Sequence, residues 1–188
     1  MKRAAPATLI ALAAALILPA CDKKPAPPAD APKAAPVAAL PADLFIAAAP
    51  ADAQGVKAAK QAAGPGQKVV VRGRVGGSAD PFVDGRAVFT LMDFTLPACS
   101  DNPDDACATP WDYCCEKRAD ITANAATIQV TDASGAPLKV GLKGASGLAP
   151  LSEVVVIGTV TQKDDSGVFV VRAEKLHVGP PSKPAPRK

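Results

Sequence analysis

Residues 68–75 read KVVVRGRV and residues 153–162 read EVVVIGTVTQ, and these two stretches decide the fold. In the first, an apolar residue or a glycine recurs at every second position, which is the period of a strand with one buried face. The second is almost continuously apolar, which predicts a strand that is buried on both faces. Each stretch contains a glycine, Gly73 or Gly158, and a glycine inside a strand is typical of a bend or a β-bulge.

Three more strands and one helix are predicted around this pair. Alternating apolar residues indicate strands over 86–93, 126–132 and 168–178, the last of which follows a charged turn, KDDSG. A short helix is predicted over 55–63, because apolar residues lie there at helical spacing and the GPG that follows stops a helix. Five strands predict an all-β domain, a small five-stranded barrel, rather than a β-sandwich, which usually has more strands.

The order of these elements resembles the exported bacterial OB-fold proteins, a periplasmic branch of the tRNA-anticodon-type OB fold. The residues that carry the resemblance are V-x-V-R-G-R-V at 69–75 and V-V-V-I-G-x-V at 154–160. It covers about residues 55–178 and implies an OB-like domain over residues 44–178, a five-stranded barrel with a short N-terminal helix and a Cys-rich loop insertion between strands 2 and 3.

That insertion, residues 94–125, is called the cysteine loop below. It replaces what would be a tight hairpin in a plain OB barrel, and insertions carried on a rigid barrel are where function tends to sit. Its segment C-x(7)-C-x-T-P-W-D-Y-C-C-E resembles uncharacterised bacterial lipoproteins, a family that implies no particular activity. The loop holds four of the five cysteines and the only Trp and Tyr of the chain, namely Cys99, Cys107, Cys114, Cys115, Trp111 and Tyr113.

Two disulfides are the favoured interpretation of the four loop cysteines, because their number is even and the predicted compartment is oxidising. A bridge between the adjacent Cys114 and Cys115 would need strained geometry, so we expect each to pair with Cys99 or Cys107. Such crosslinks would hold a loop that has few aliphatic residues. Trp111 and Tyr113 either pack over these bridges or form a contact for a glycan, a peptide or a partner protein.

Metal and redox roles are alternatives for the same loop. Thiolates suit zinc or copper(I), and seven acidic residues between 93 and 120 could attract calcium. However, the loop has neither a C-x-x-C pair nor the spacing of a calcium-binding loop, and nearby acidic residues disfavour a reactive thiolate. No metal and no cofactor is therefore predicted from the sequence.

The first 43 residues predict export and attachment to a membrane. Lys2 and Arg3 precede an apolar run that ends in LPAC at 18–21, which resembles the signal of bacterial lipoproteins. The resemblance implies that residues 1–20 are a cleaved signal peptide and that Cys21 is acylated, so the lipid membrane is one partner. Residues 21–43 then form a Pro/Ala-rich tether with a reach of roughly 70 Å at about 3.1 Å per residue, on the periplasmic or outer side of a cell membrane.

The net positive charge of the chain comes from residues near its two ends. Eight of the 21 basic residues and three of the 18 acidic residues lie outside 44–178, which leaves that part with a net charge near −2. Residues 179–188 are a basic tail that we expect to be disordered. A slightly acidic domain without stacking aromatics on its second and third strands is not expected to bind nucleic acid.

Catalytic motifs are also missing from the sequence. His177 is the only histidine, and the chain has no G-x-S-x-G, no H-E-x-x-H and no phosphate-binding loop, so an enzyme is not predicted. The sequence instead predicts a membrane-anchored, non-catalytic binding module for an unidentified envelope protein, glycan or small ligand. A scaffolding lipoprotein, or a metal- or thiol-dependent stress protein, is the alternative.

Overall fold

A closed five-stranded barrel forms the described part of the chain, as the sequence predicts. The computed structural model describes residues 39–102 and 104–181, so the predicted signal peptide, Cys21, most of the tether and most of the basic tail lie outside the described residues. The elements in chain order are β1 (Gln54–Gly55), α1 (Val56–Ala62), β2 (Lys68–Val75), β3 (Val88–Met92), α2 (Arg118–Ala123), β4 (Ala125–Gln129), β5 (Ser152–Lys163) and β6 (Phe169–Pro181).

The barrel follows the strand order β2-β3-β4-β6-β5, and β5 pairs back onto β2 to close it. β2 is antiparallel to both β3 and β5, and its pairing with β5 runs from Lys68 opposite Thr159 to Arg74 opposite Glu153. The pair β4–β6 is parallel, with Thr127 opposite Val170. Closure leaves no free edge among the five strands, which explains how so short a domain buries a continuous core.

The predicted strands and the predicted helix agree with the observed elements to within a few residues. Two elements were not predicted. β1 has only two residues and pairs in parallel with β2 at Gln54–Val71, so it depends on a tertiary contact rather than on a local pattern. α2 lies at the end of the cysteine loop and has no buried residue, so its sequence lacks the apolar periodicity that indicates a helix.

The prediction that β5 is buried on both faces is wrong. Val154, Val156 and Val160 point into the barrel and are buried, whereas Val155 and Ile157 on the opposite face are only half-buried. The reason is that no second layer of structure covers the outside of β5 completely. In this chain, a continuous apolar run therefore indicates a barrel strand whose outer face is only partly covered.

The two strand glycines lie where neighbouring backbone approaches closely. A β-carbon at Gly73 would collide with the carbonyl oxygen of Met92, and one at Gly158 would collide with that of Arg172. The register between β5 and β6 also shifts between Ile157 and Gly158. The predicted irregularity at Gly158 is thus confirmed as a bulge, which lets the long β5–β6 hairpin curve around the barrel.

Candidate metal centre

The cysteine loop has a small hydrophobic core of its own, which the sequence did not predict. Tyr113 is completely buried and packs with Met92 at the end of β3, with Leu96 and with Leu151. Its backbone takes the left-handed conformation, with φ at 60°. This turn points the Tyr113 ring inward and so places the residues on either side of it near the loop surface.

An ion pair fixes the first half of the loop to the barrel. Arg74 of β2 is 8% exposed, and its Nη1 lies 2.8 Å from Oδ2 of Asp101. The same oxygen accepts a hydrogen bond of 2.9 Å from the backbone amide of Ala98. This pairing holds a 3₁₀ turn, Cys99–Asp101, against the barrel, so Cys99 is both buried and positioned. The pairing also keeps the Arg74 guanidinium away from the solvent-exposed surface.

A lysine fixes the second half of the loop. Lys60, near the end of α1, donates hydrogen bonds to the carbonyl oxygens of Thr122, Ala125 and Gly167 at 2.6, 3.1 and 2.6 Å. Burial lowers the pKa of Lys60, although Asp164 nearby opposes that effect. The two ends of the loop are therefore tied to the barrel at separate points, which limits the movement of the cysteines between them.

Asp112 organises the turn that carries the last cysteines. Its Oδ2 accepts a hydrogen bond of 2.6 Å from the hydroxyl of Thr109, and its Oδ1 accepts one of 2.9 Å from the backbone amide of Cys114. The carboxylate then lies 3.5 Å from Sγ of Cys99 and 3.9 Å from Sγ of Cys107. A carboxylate thus faces the thiols, in an orientation set by the turn itself.

The four thiols lie together, but the two disulfides favoured by the sequence are not formed. Sγ of Cys114 is 3.7 Å from that of Cys99, 3.6 Å from that of Cys107 and 3.9 Å from that of Cys115. A disulfide needs an S–S distance of about 2.05 Å, and all four cysteines are free. Because Cys114 is nearly equidistant from the other three, the packing singles out no pair of partners.

These distances fit a tetrahedral metal centre. A zinc–sulfur bond of about 2.3 Å places two sulfurs of one tetrahedron about 3.8 Å apart, close to the separations around Cys114. The ligand atoms of Cys99, Cys107, Asp112 and Cys114 all lie within 4.8 Å of one another. Three thiolates and one carboxylate would complete the four ligands that such a site takes.

The local electrostatics favour the protonated form of two of the thiols, those of Cys99 and Cys114. Burial raises the pKa of the Cys99 thiol, and hydrogen bonds with Cys107, Cys99 and Asp112 raise the pKa of the Cys114 thiol. Burial would also raise the pKa of Asp112, but hydrogen bonds from Thr109 and from the Cys114 amide outweigh it and hold this pKa below 3.8. An ionised carboxylate beside these thiols would favour a bound cation, and binding of the cation would release the thiol protons.

The two aromatic residues of the loop lie in different surroundings. Tyr113 is buried, so a ligand on the surface can reach only Trp111 directly. Trp111 is half-buried, and its indole nitrogen donates a hydrogen bond of 2.9 Å to the carbonyl oxygen of Ala79. The backbone oxygen of Trp111 accepts a second one, of 2.9 Å, from the amide of Gly77. Both residues therefore help to attach the loop to the end of β2.

A shallow cleft of about 270 Å³ borders the thiols. It is lined in part by Cys99, Asp105, Cys115 and Glu116, so solvent reaches one side of the cluster. Because Cys99 itself is buried, the cleft exposes the cluster mainly through Cys115 and the acidic side chains. A metal ion could enter by this route.

Comparisons with known proteins return no match. No protein-family model, no curated protein and no solved structure is significantly similar to the chain. In residues 39–102 and 104–181, none of the helices has the length and apolar character needed to cross a bilayer. The resemblances to bacterial lipoproteins and to exported OB-fold proteins stay predictions from the sequence.

Proposed function

We propose that this chain is a lipid-anchored, extracytoplasmic binding module without catalytic activity, and that its ligand is a thiophilic metal ion held by the cysteine loop. The observation that carries the proposal is the convergence of three thiols and one carboxylate within 4.8 Å of one another. Export and anchoring are supported by the predicted signal peptide and by Cys21 at its end. The small-ligand version of the binding module is thereby favoured over a protein or glycan partner.

Zinc is the ion that the donor set fits best. Thiolates select zinc, copper(I) or iron–sulfur clusters, whereas carboxylates prefer harder cations. A mixed set of three thiolates and Asp112 lies between these extremes, as does Zn²⁺, which accepts sulfur and oxygen ligands in one tetrahedron. Copper(I), which is softer, would gain little from the carboxylate.

The same donor set supports a role without catalysis. Catalytic zinc sites use three protein ligands and leave the fourth position for water or substrate. Here four protein ligands are at hand, so the ion would have no open coordination position. Such a site stores or carries the metal, or stabilises the loop around it.

The test is metal binding by the reduced full-length chain. We expect the Cys21→Ser protein to bind zinc stoichiometrically in equilibrium dialysis against a chelator. We expect Cys114→Ser, placed in the same background, to bind at least about 100-fold more weakly, because Cys114 is central to the cluster. Cys21→Ser is the matched control, since it removes a cysteine outside the loop by the same change.

Two results would reject the proposal. One is a reduced protein that binds neither zinc nor copper(I) stoichiometrically. The other is protein recovered from its native envelope with the four loop thiols joined in two disulfides, which would restore the interpretation favoured by the sequence. Thiol titration of the same sample before and after reduction distinguishes the free thiols from the oxidised ones.

A further inference from the structure

The cysteine loop contains a second donor set beside the first. The ligand atoms of Cys99, Asp105 and Cys115 also lie within 4.8 Å of one another. Asp105 is positioned by its own loop, because its Oδ1 accepts a hydrogen bond of 2.7 Å from the backbone amide of Cys107. Its other oxygen, Oδ2, lies 3.8 Å from Sγ of Cys115.

We propose that the loop binds two metal ions, and that the thiolate of Cys99 bridges them. The inference rests on the proposed function, since the first ion occupies the site described above. A thiolate sulfur has more than one lone pair, so one cysteine can ligate two ions at once. Cys99 is the residue common to both donor sets, and it is the only buried cysteine among those described.

The second position differs from the first in its ligand count. Cys99, Asp105 and Cys115 supply three ligands, which leaves one position of a tetrahedron open. This position borders the cleft of about 270 Å³, which Glu116 also lines. The second ion is therefore the more easily exchanged one, and the first, which has four protein ligands, is the more tightly held one.

Charge supports two ions rather than one. Residues 93–120 carry seven acidic residues and two basic ones, Lys117 and Arg118, and of the seven Asp101 is paired with Arg74. A single divalent ion in the first site leaves the charges of three thiolates and of Asp112 only half neutralised, with Asp105 beside them. A second divalent ion compensates for Asp105 and for the thiolate that Cys115 becomes on binding.

The test is the number of zinc ions bound, measured on full-length chains that all carry Cys21→Ser, with zinc as the only added metal. We expect two ions for this parent protein, the second of which a chelator removes first. We expect Cys115→Ser and Asp105→Asn each to bind one ion, with the tighter affinity unchanged. Asp104→Asn is the matched control, because Asp104 is an exposed acidic residue of the same loop that belongs to neither donor set, and we expect it to keep both ions.

Cadmium tests the shared sulfur directly. With ¹¹³Cd in place of zinc, a bridging Cys99 produces two resonances that are coupled to each other, and Cys99→Ser weakens the binding of both ions. A parent protein that binds only one ion would overturn this inference and leave the proposed function standing, whereas one that binds none would overturn both. Two ions retained in Cys115→Ser, or two uncoupled cadmium signals, would also overturn the inference. Circular dichroism shows whether each variant keeps the barrel.

Discussion

Asp93, just after the end of β3, joins that strand to the start of α1. Its carboxylate accepts hydrogen bonds from the backbone amides of Lys57 and Thr95 at 2.7 and 2.8 Å, and from the Thr95 hydroxyl at 2.7 Å. Burial by itself would raise the pKa of Asp93, but these hydrogen bonds outweigh it and lower the pKa below 3.8. Asp93 thus caps a helix that has no capping side chain of its own.

Replacing Asp93 with Asn is expected to lower the free energy of unfolding by about 1–3 kcal/mol at pH 7, because an amide cannot accept all three hydrogen bonds as a charged group does. A lowered pKa in the folded state gives stability that is present above about pH 4 and is lost as pH falls through the folded-state value. The difference in unfolding free energy between the natural protein and Asp93→Asn should therefore be smaller near pH 3 than at pH 7.

Urea denaturation at pH 7 and pH 3 measures both effects. The exposed Asp52 provides the control, and Asp52→Asn should leave the unfolding midpoint unchanged at either pH. An equal loss of unfolding free energy in Asp93→Asn at both pH values would show that the helix end requires the shape of the side chain and not its charge.

At the scale of the element, the β5–β6 hairpin shows how one glycine sets the curvature of the barrel. Gly158 pairs with Ala173 just after a register shift, and Val171 and the carbonyl oxygen of Arg172 occupy the space where its side chain would be. The strand therefore bends at the one position where no side chain has to fit.

Replacing Gly158 with Ala is expected to destabilise the barrel by about 1–3 kcal/mol, because the added methyl group forces the two strands apart. The control is Gly141→Ala, since a methyl group there meets nothing within 4 Å. Thermal unfolding followed by circular dichroism checks the pair. An unchanged midpoint in Gly158→Ala would mean that the bulge can move along the hairpin without cost.

The strands could be predicted from the sequence, and the candidate metal site could not, for one physical reason. The period of two in KVVVRGRV reports directly which side of β2 faces the core, because alternate side chains point to opposite faces. The cluster is instead assembled from a 3₁₀ turn, Cys99–Asp101, from Cys107 in an irregular stretch, and from two hydrogen-bonded turns at 109–112 and 113–116. No C-x-x-C spacing marks such a site, since each ligand comes from a different local segment.

The sequence also did not reveal what holds the loop in place. An even number of cysteines carries no information about distances, and the ion pair of Arg74 with Asp101 and the burial of Tyr113 position the thiols as a group. Both contacts join residues that are far apart in the sequence, so neither leaves a local pattern. The small core of the loop and its ties to the barrel hold it in place in this structure.

At the scale of the whole molecule, the described domain begins inside the predicted tether, because Leu40 packs against the core and Asp43 forms an ion pair with Lys175. Leu44 is buried, and its carbonyl oxygen accepts a hydrogen bond of 2.7 Å from the amide of Leu176 in β6. The first residues of the described chain are thus fixed to β6 as part of the domain.

The last prediction concerns the anchoring of the protein through Cys21. Several acyl chains, each stabilised by about 0.8 kcal/mol per buried methylene, hold a protein on a membrane, whereas one short chain holds it only marginally. We therefore expect Cys21→Ala to move the protein from the membrane fraction to the soluble fraction and to abolish labelling by palmitate. Cys115→Ala, which removes an exposed cysteine elsewhere, should stay on the membrane and keep the label. If the natural protein is recovered with Met1 intact from the soluble cell contents, the anchor does not exist. The metal site must then be explained in a reducing compartment, where free thiols are the ordinary state.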